Sequence, residues 1–201
     1  MKLYYSPGVC SMASHIVLHQ TGSTFEIEKV DLGTKQTETG TDYRTVNPKG
    51  SVPALETAEG ILTEGPAILQ FVADKAGDTT LSPPAGTMAR ARMQEALNFV
   101  ASELHTAYSP LFNPALDDER RSAARGVVAK KLGWIEGLLS DGRDFLTGSA
   151  FTVADAYAFV VVNWSGMVGV DLTDFPKIRA FAARVQSRPA VQQAMQAEGL
   201  A

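Results

Sequence analysis

Cysteine is nearly absent from this chain: Cys10 is the one cysteine in 201 residues. A single thiol cannot form an intramolecular disulfide, so a packed core must hold the fold, and a reducing compartment is expected. Basic charge is also scarce. Lys and Arg total 18 against 22 Asp and Glu, a formal net charge of -4, with no basic run. That removes electrostatic support for a nucleic-acid or anionic-membrane partner. No apolar run reaches membrane-spanning length. One Lys and a few apolar residues precede Ser6-Pro7-Gly8, too little for a signal-peptide core. A soluble, cytoplasmic protein is expected. Histidine is sparse as well. His15 and His19 stand four apart and can meet on a helix face, but no third ligand accompanies them, so no metal site is expected.

What is present is patterned. Hydrophobic residues make up 45% of the chain, enough for one large domain or two small ones. Residues 2–5 read as a strand and 10–20 as a helix, with Val9, Met12, Ala13, Ile16 and Val17 on one face. Phe25 and Ile27 alternate with Glu26 and Glu28, marking a second strand over 25–31. Residues 31–47 are polar and read as loop. Asn47-Pro48-Lys49-Gly50-Ser51-Val52-Pro53 is a rigid connector with two prolines. Residues 54–57 and 61–63 flank Ala58-Glu59-Gly60 as a hairpin. Glu64-Gly65-Pro66 opens a helix with Pro66 at its first position. The order is β-α-β then β-β-α, an α/β unit over residues 1–80.

Pro83-Pro84 cannot continue a helix, so 81–86 reads as a linker. Residues 87–201 are helical in period throughout. Met93, Leu97, Val100, Leu104, Tyr108 and Leu111 form one apolar stripe; Ala124, Val128, Leu132, Ile135 and Leu139 form another. Thr152-Val153-Ala154-Asp155 has the form of a helix capping box. Helices around 176–185 and 189–197 close the chain.

The chemistry centres on Cys10, which a Ser-Pro-Gly turn delivers to a helix start. Unpaired N–H groups and the positive helix end favour the thiolate there. The other reading is a buried, inert cysteine. A redox dithiol would need a second Cys three positions on, where Ala13 stands, so intramolecular resolution of a disulfide is excluded. Asn98, Ser102 and His105 fall at i, i+4 and i+7 and share a helix face.

Taken together, residues 2–12, Asn47 to Leu55, Leu62-Thr63-Glu64-Gly65, Leu97 to His105, Phe151 to Asp155 and Arg188-Pro189-Ala190-Val191 form a specific combination. In these stretches the sequence resembles a bacterial glutathione S-transferase of the cysteine-containing beta class. The resemblance implies a thioredoxin-like domain, an all-helical domain and a homodimer. It implies glutathione as co-substrate, held by Cys10, Lys35, Val52, a cis Pro53, Glu64, Gly65, Asn98, Ser102, Glu103 and His105. Lys35 would take the glycyl carboxylate, and Glu64 with Gly65 the γ-glutamyl end. Ser11 would donate to the sulfur, and His105 would donate to a thiolate or take its proton. A small apolar electrophile would meet Tyr108, Phe112, Trp164 and Met167, each of which also reads as core. The reaction implied is conjugation of the glutathione thiolate to that electrophile, with thiol-transferase or peroxidase activity through a Cys10 mixed disulfide. A glutathione-dependent dehalogenase or reductase and a non-catalytic interaction module are the competing readings. Two positions depart from the family: Gly65, where Ser is common, and Thr106, where relatives often carry Lys.

Overall fold

The computed structural model describes residues 1–200, which divide into two units, Met1–Ser82 together with the segment from Ser187 onward, and Pro83–Gln186.

In the first unit, β1 (Lys2–Tyr5) lies at the centre of a five-stranded sheet. It pairs in parallel with β2 (Glu26–Asp31) and antiparallel with β4 (Ala54–Thr57). A two-residue strand, β3 (Gln36–Thr37), edges β2, and β5 (Gly60–Thr63) edges β4, giving the order β3-β2-β1-β4-β5. Register sets Leu3 between Ile27 and Leu55, on the apolar face. The polar stretch 31–47 thus contains a short strand and one 3₁₀ turn (Tyr43–Thr45). Two helices follow strands: α1 (Ser11–Gln20) and α2 (Gly65–Lys75). α2 begins at Gly65, so Pro66 is its second residue rather than its first.

α1 is buried from Ser11 to Leu18, on nearly every side, because it packs on β1, on α2 and on the last helix, α8 (Pro189–Ala197). The sequence reading joined that helix to the second half of the chain. In the structure the residues after α8 return to α1: Glu198 accepts from the Gly8 N–H at 2.9 Å and pairs with His15 Nδ1 at 2.9 Å. Leu81 and Ser82, read as linker, are buried with the first unit.

The second unit consists of α3 (Met88–Phe99), a π turn (Val100–Leu104), α4 (His105–Tyr108), a 3₁₀ turn (Ser109–Phe112), α5 (Asp118–Leu138), α6 (Val153–Val168) and α7 (Pro176–Gln186). The stripe from Met93 to Leu111 is buried throughout, as are Val128, Leu132, Ile135 and Leu139; Ala124 is half-buried. α6 is apolar on almost all sides and is the central helix of this unit. Its first turn closes the expected capping box. The buried Asp155 carboxylate accepts from the N–H and hydroxyl of Thr152 and from the Leu146 N–H, each at 2.8 Å. The carbonyl of its last residue is met by Arg125, whose guanidinium donates twice to Val168 O at 3.1 and 2.9 Å. Gly169 ends the helix at φ 69°, and a Cβ there would meet Arg125 Nη2 at 2.7 Å. No helix among the described residues is long and apolar enough to cross a membrane.

Burial raises the Asp155 carboxyl to about 6, outweighing its three donors. The folded state therefore holds this proton more tightly than the unfolded chain. Its contribution to stability grows as pH falls through 6 toward the ordinary carboxyl range. Asp155→Ala is expected to cost about 3 kcal/mol in urea unfolding at pH 7, the scale of stranding buried donors. The stability gap between wild type and the non-titrating Asp155→Asn should widen between pH 7.5 and pH 5; a gap that narrows contradicts the assignment.

Candidate active site

The first unit brings three backbone features to one place. The turn Ser6–Cys10 enters α1, with Gly8 at φ 70°. The connector 47–53 ends in a cis Val52–Pro53 bond. The start of α2 lies beside it, where a Cβ on Gly65 would stand 4.0 Å from Pro53 Cγ. The connector is held from beneath by the fully buried Tyr43, whose hydroxyl donates to Ser51 O at 2.9 Å, and by Asn47 Nδ2, which donates to the same carbonyl at 2.7 Å.

Cys10 sits at the N-cap of α1, as its position after Ser6-Pro7-Gly8 predicts. Its ionisation differs from the expectation. The Cys10 Sγ donates to Val52 O at 3.2 Å. Burial is the largest influence and, with the Glu64 charge, pushes the thiol up to about 11 against the backbone N–H groups of Cys10 and Ser11. Cys10 is thus a neutral thiol. The helix start attracts negative charge, but the desolvation cost of a thiolate at this site is larger.

Ser11 also differs from its expected role. Its hydroxyl donates to Ser6 O at 3.1 Å and accepts from the Ser6 N–H at 3.2 Å, with no exposure. It closes the turn and does not reach the sulfur. Lys35 is half-buried and donates to Gly50 O at 3.0 Å. Glu64 caps α2 and forms an exposed ion pair with Lys49, Nζ to Oε1 2.5 Å. Two non-glycine residues carry positive φ among the described residues, Lys35 at 61° and Glu64 at 71°. Both are candidate ligand-binding residues, and strain of this kind concentrates at such sites.

In the second unit the predicted face of Asn98, Ser102 and His105 separates. The turn between them is π rather than α, which alters the angle per residue. Asn98 is exposed and its carbonyl accepts from Ser102 Oγ at 2.8 Å. Ser102 and Glu103 line a groove of about 350 Å³ with Ala124 and Val127 of α5, and Glu103 pairs with Lys131 at its rim. His105 instead turns toward α6. Its Nδ1 lies 2.6 Å from Tyr157 Oη, and Trp164 packs against its ring at 4.7 Å and 77°. Burial lowers the His105 pKa, favouring neutral imidazole. Trp164 also meets Phe112 edge-on at 5.5 Å. Phe112 and Met167 are 45% and 66% exposed and so can offer apolar surface. Tyr108 cannot: it is fully buried and bonded to Ser165 Oγ, a core residue.

Four residues of these networks lay outside the sequence reading. Lys49 stood in view within the connector. Asn47 stands in the same connector, four residues from its partner Ser51, while Tyr157 and Glu198 gave no local signal, because their partners His105 and His15 are 52 and 183 residues distant and chosen by the fold. Among the described residues no three His, Cys, Asp or Glu side chains group as a metal-ligand set.

A sheet of this topology with a cysteine at the first helix start and a cis-proline opposite defines a thioredoxin-like unit, here joined to a helical one. The chain matches the glutathione S-transferase N-terminal domain over residues 1–74 and the C-terminal domain over residues 99–189. It is 44% identical to glutathione S-transferase GstA of Escherichia coli O157:H7, with both chains covered in full. Two solved structures each superimpose with a TM-score of 0.95 at 46% identity over the whole of both chains. One is a sphingomonad glutathione S-transferase complexed with glutathione; the other is the bacterial beta class glutathione S-transferase of Sphingomonas chungbukensis. The protein belongs to the glutathione S-transferase family, an enzyme family of the transferase type.

A thiol raised to about 11 should react slowly at neutral pH. Alkylation of the ligand-free protein by iodoacetamide is expected to be slow at pH 7 and to accelerate about tenfold per pH unit up to pH 9, following the thiolate fraction. A fast, pH-independent rate above pH 7 would restore the activated thiolate.

Proposed function

We propose that this protein conjugates the thiolate of glutathione to small apolar electrophiles, and that it works as a homodimer. The observation that carries the reading is the convergence, in the first unit, of Cys10, the Val52 carbonyl beside cis Pro53, and the Glu64–Gly65 start of α2. The relative complexed with glutathione supports the choice of co-substrate.

In this reading the backbone of Val52 pairs with the cysteinyl unit of glutathione as an added strand would. The N–H groups at the start of α2 take the γ-glutamyl carboxylate, and Glu64 takes its ammonium. Lys35 takes the glycyl carboxylate. The glutathione thiol gives its proton to solvent. Its sulfur lone pair then forms a carbon–sulfur bond as the leaving group departs with its bonding pair. The neutral state of Cys10 suits this chemistry: by turning from Val52 O its S–H group can donate to an anionic sulfur, whereas a second thiolate would repel it. A Cys10 mixed disulfide would need a second glutathione for its reduction, because Ala13 offers no resolving thiol. Phe112 and Met167 supply apolar surface for the electrophile, with the buried Trp164 packed against Phe112. His105 supplies a further polar contact; Asn98, Ser102 and Glu103, which the π turn separates from it, take no part in this reading.

Retention on glutathione resin together with conjugation of a chloronitrobenzene tests this assignment; no binding at millimolar glutathione removes it. Cys10→Ala is expected to keep much of the conjugation rate and to lose most thiol-transferase activity, measured with a glutathione mixed disulfide. Gly65→Ser has room for its side chain. It should lower the KM for glutathione about tenfold, the scale of one added hydrogen bond to a carboxylate.

A further inference from the structure

His105 is the first residue of α4, directly after the π turn, and its ring is held from two sides by α6. Tyr157 approaches edge-on, with ring centroids 6.0 Å apart at 86°, and its hydroxyl lies 2.6 Å from Nδ1. Trp164 packs against the imidazole seven residues further along α6. Both aromatic residues are buried, on the central helix of their unit, so neither is free to drift. Turning the imidazole over would put a carbon where Nδ1 stands and break the bond to Tyr157.

A neutral imidazole carries one N–H, and the partner of one nitrogen decides which. At 2.6 Å the phenol oxygen and Nδ1 share one hydrogen bond, and a neutral pair has two ways to make it. With the phenol as donor, Nδ1 is the acceptor. The ring proton then belongs on Nε2. This pairing is the chemically favoured one, since a phenol is the stronger acid and an imidazole the stronger base. Burial keeps the ring neutral, so this single proton is the only one His105 has to offer.

We propose that Tyr157 is a positioning residue that fixes His105 as the Nε2–H tautomer, making His105 a hydrogen-bond donor and not a proton acceptor in conjugation. The tautomer stands on the geometry of the second unit alone. Its use, donation to the anionic sulfur or to charge developing on the electrophile, rests on the function proposed above. The sequence left two roles open for His105, donor or base, and the hydroxyl of Tyr157 selects between them.

Nitrogen NMR on ¹⁵N-labelled protein reads the tautomer directly without glutathione. The chain has three histidines, and the His105 signals are assigned by their loss in His105→Gln. At pH 7.5 Nε2 should appear protonated and Nδ1 bare. In Tyr157→Phe, checked for an unchanged urea midpoint, the two nitrogens should shift toward a tautomer mixture. A protonated Nδ1 in the wild type, or His105 signals unmoved by Tyr157→Phe, overturns the proposal. Conjugation kinetics test the use of the proton. Tyr157→Phe should lower kcat about fivefold with retention on glutathione resin unchanged, the scale of one lost hydrogen bond. His105→Gln keeps an N–H donor and no base, so it should fall less than His105→Ala; equal losses would overturn the donor role. Failure of the wild type to bind glutathione would remove the earlier reading and leave the tautomer measurement standing.

Discussion

The turn that enters α1 is half-buried, and much of the first unit is arranged to supply its polar groups with partners inside the protein. Ser11 closes the turn on Ser6 in both directions. The Gly8 N–H is taken by Glu198, which lies beyond the last helix and also holds His15. The Cys10 thiol is taken by Val52 O, which the connector presents because Tyr43 and Asn47 hold the preceding carbonyl. An unpaired group at any of these points would cost about 1–3 kcal/mol. The end of the chain, the connector and the first helix are therefore tied to one short turn.

The same burial changes the chemistry that the turn performs. A cysteine at a helix start is ordinarily an argument for a thiolate, because the N–H groups and the helix dipole both favour it. Those influences are present here and are outweighed by desolvation. In the function proposed above, this would divide the labour between two sulfurs: glutathione would carry the negative charge, and Cys10 would remain a donor. In the second unit burial acts on His105 in the same direction, toward the neutral form.

Much of the fold was legible in the sequence. The helix at 176–185 and the apolar stripe from Met93 to Leu111 follow from period, since their burial repeats at helical spacing; the strands at residues 2–5 and 54–57 and the helix at 10–20, whose burial is continuous, follow from apolar runs bounded by turn residues. The capping box at Thr152 and Asp155 was legible because its partners are three residues apart. The two-residue β3 was not, because pairing with β2 creates it and residues 36–37 carry no pattern of their own. The shared face of Asn98, Ser102 and His105 was misjudged because helical spacing assumes one angle per residue, and the π turn departs from it.

The sequence by itself determined the local chemistry: a lone cysteine at a helix start, no resolving thiol at Ala13, a Val-Pro before a hairpin, and a polar residue set of the right kind for a thiol ligand. These depend on neighbours within a few positions, so a linear reading reaches them. Tertiary structure decided the state of those groups. That Cys10 is neutral, that Ser11 serves the turn and not the sulfur, that Glu198 returns to Gly8 and His15, and that Tyr157 meets Nδ1 of His105 all depend on residues 5 to 190 positions apart. The physical reason is that protonation and hydrogen-bond direction are set by burial and by the nearest partner in space. The chain order specifies neither until the sheet and the helices have packed.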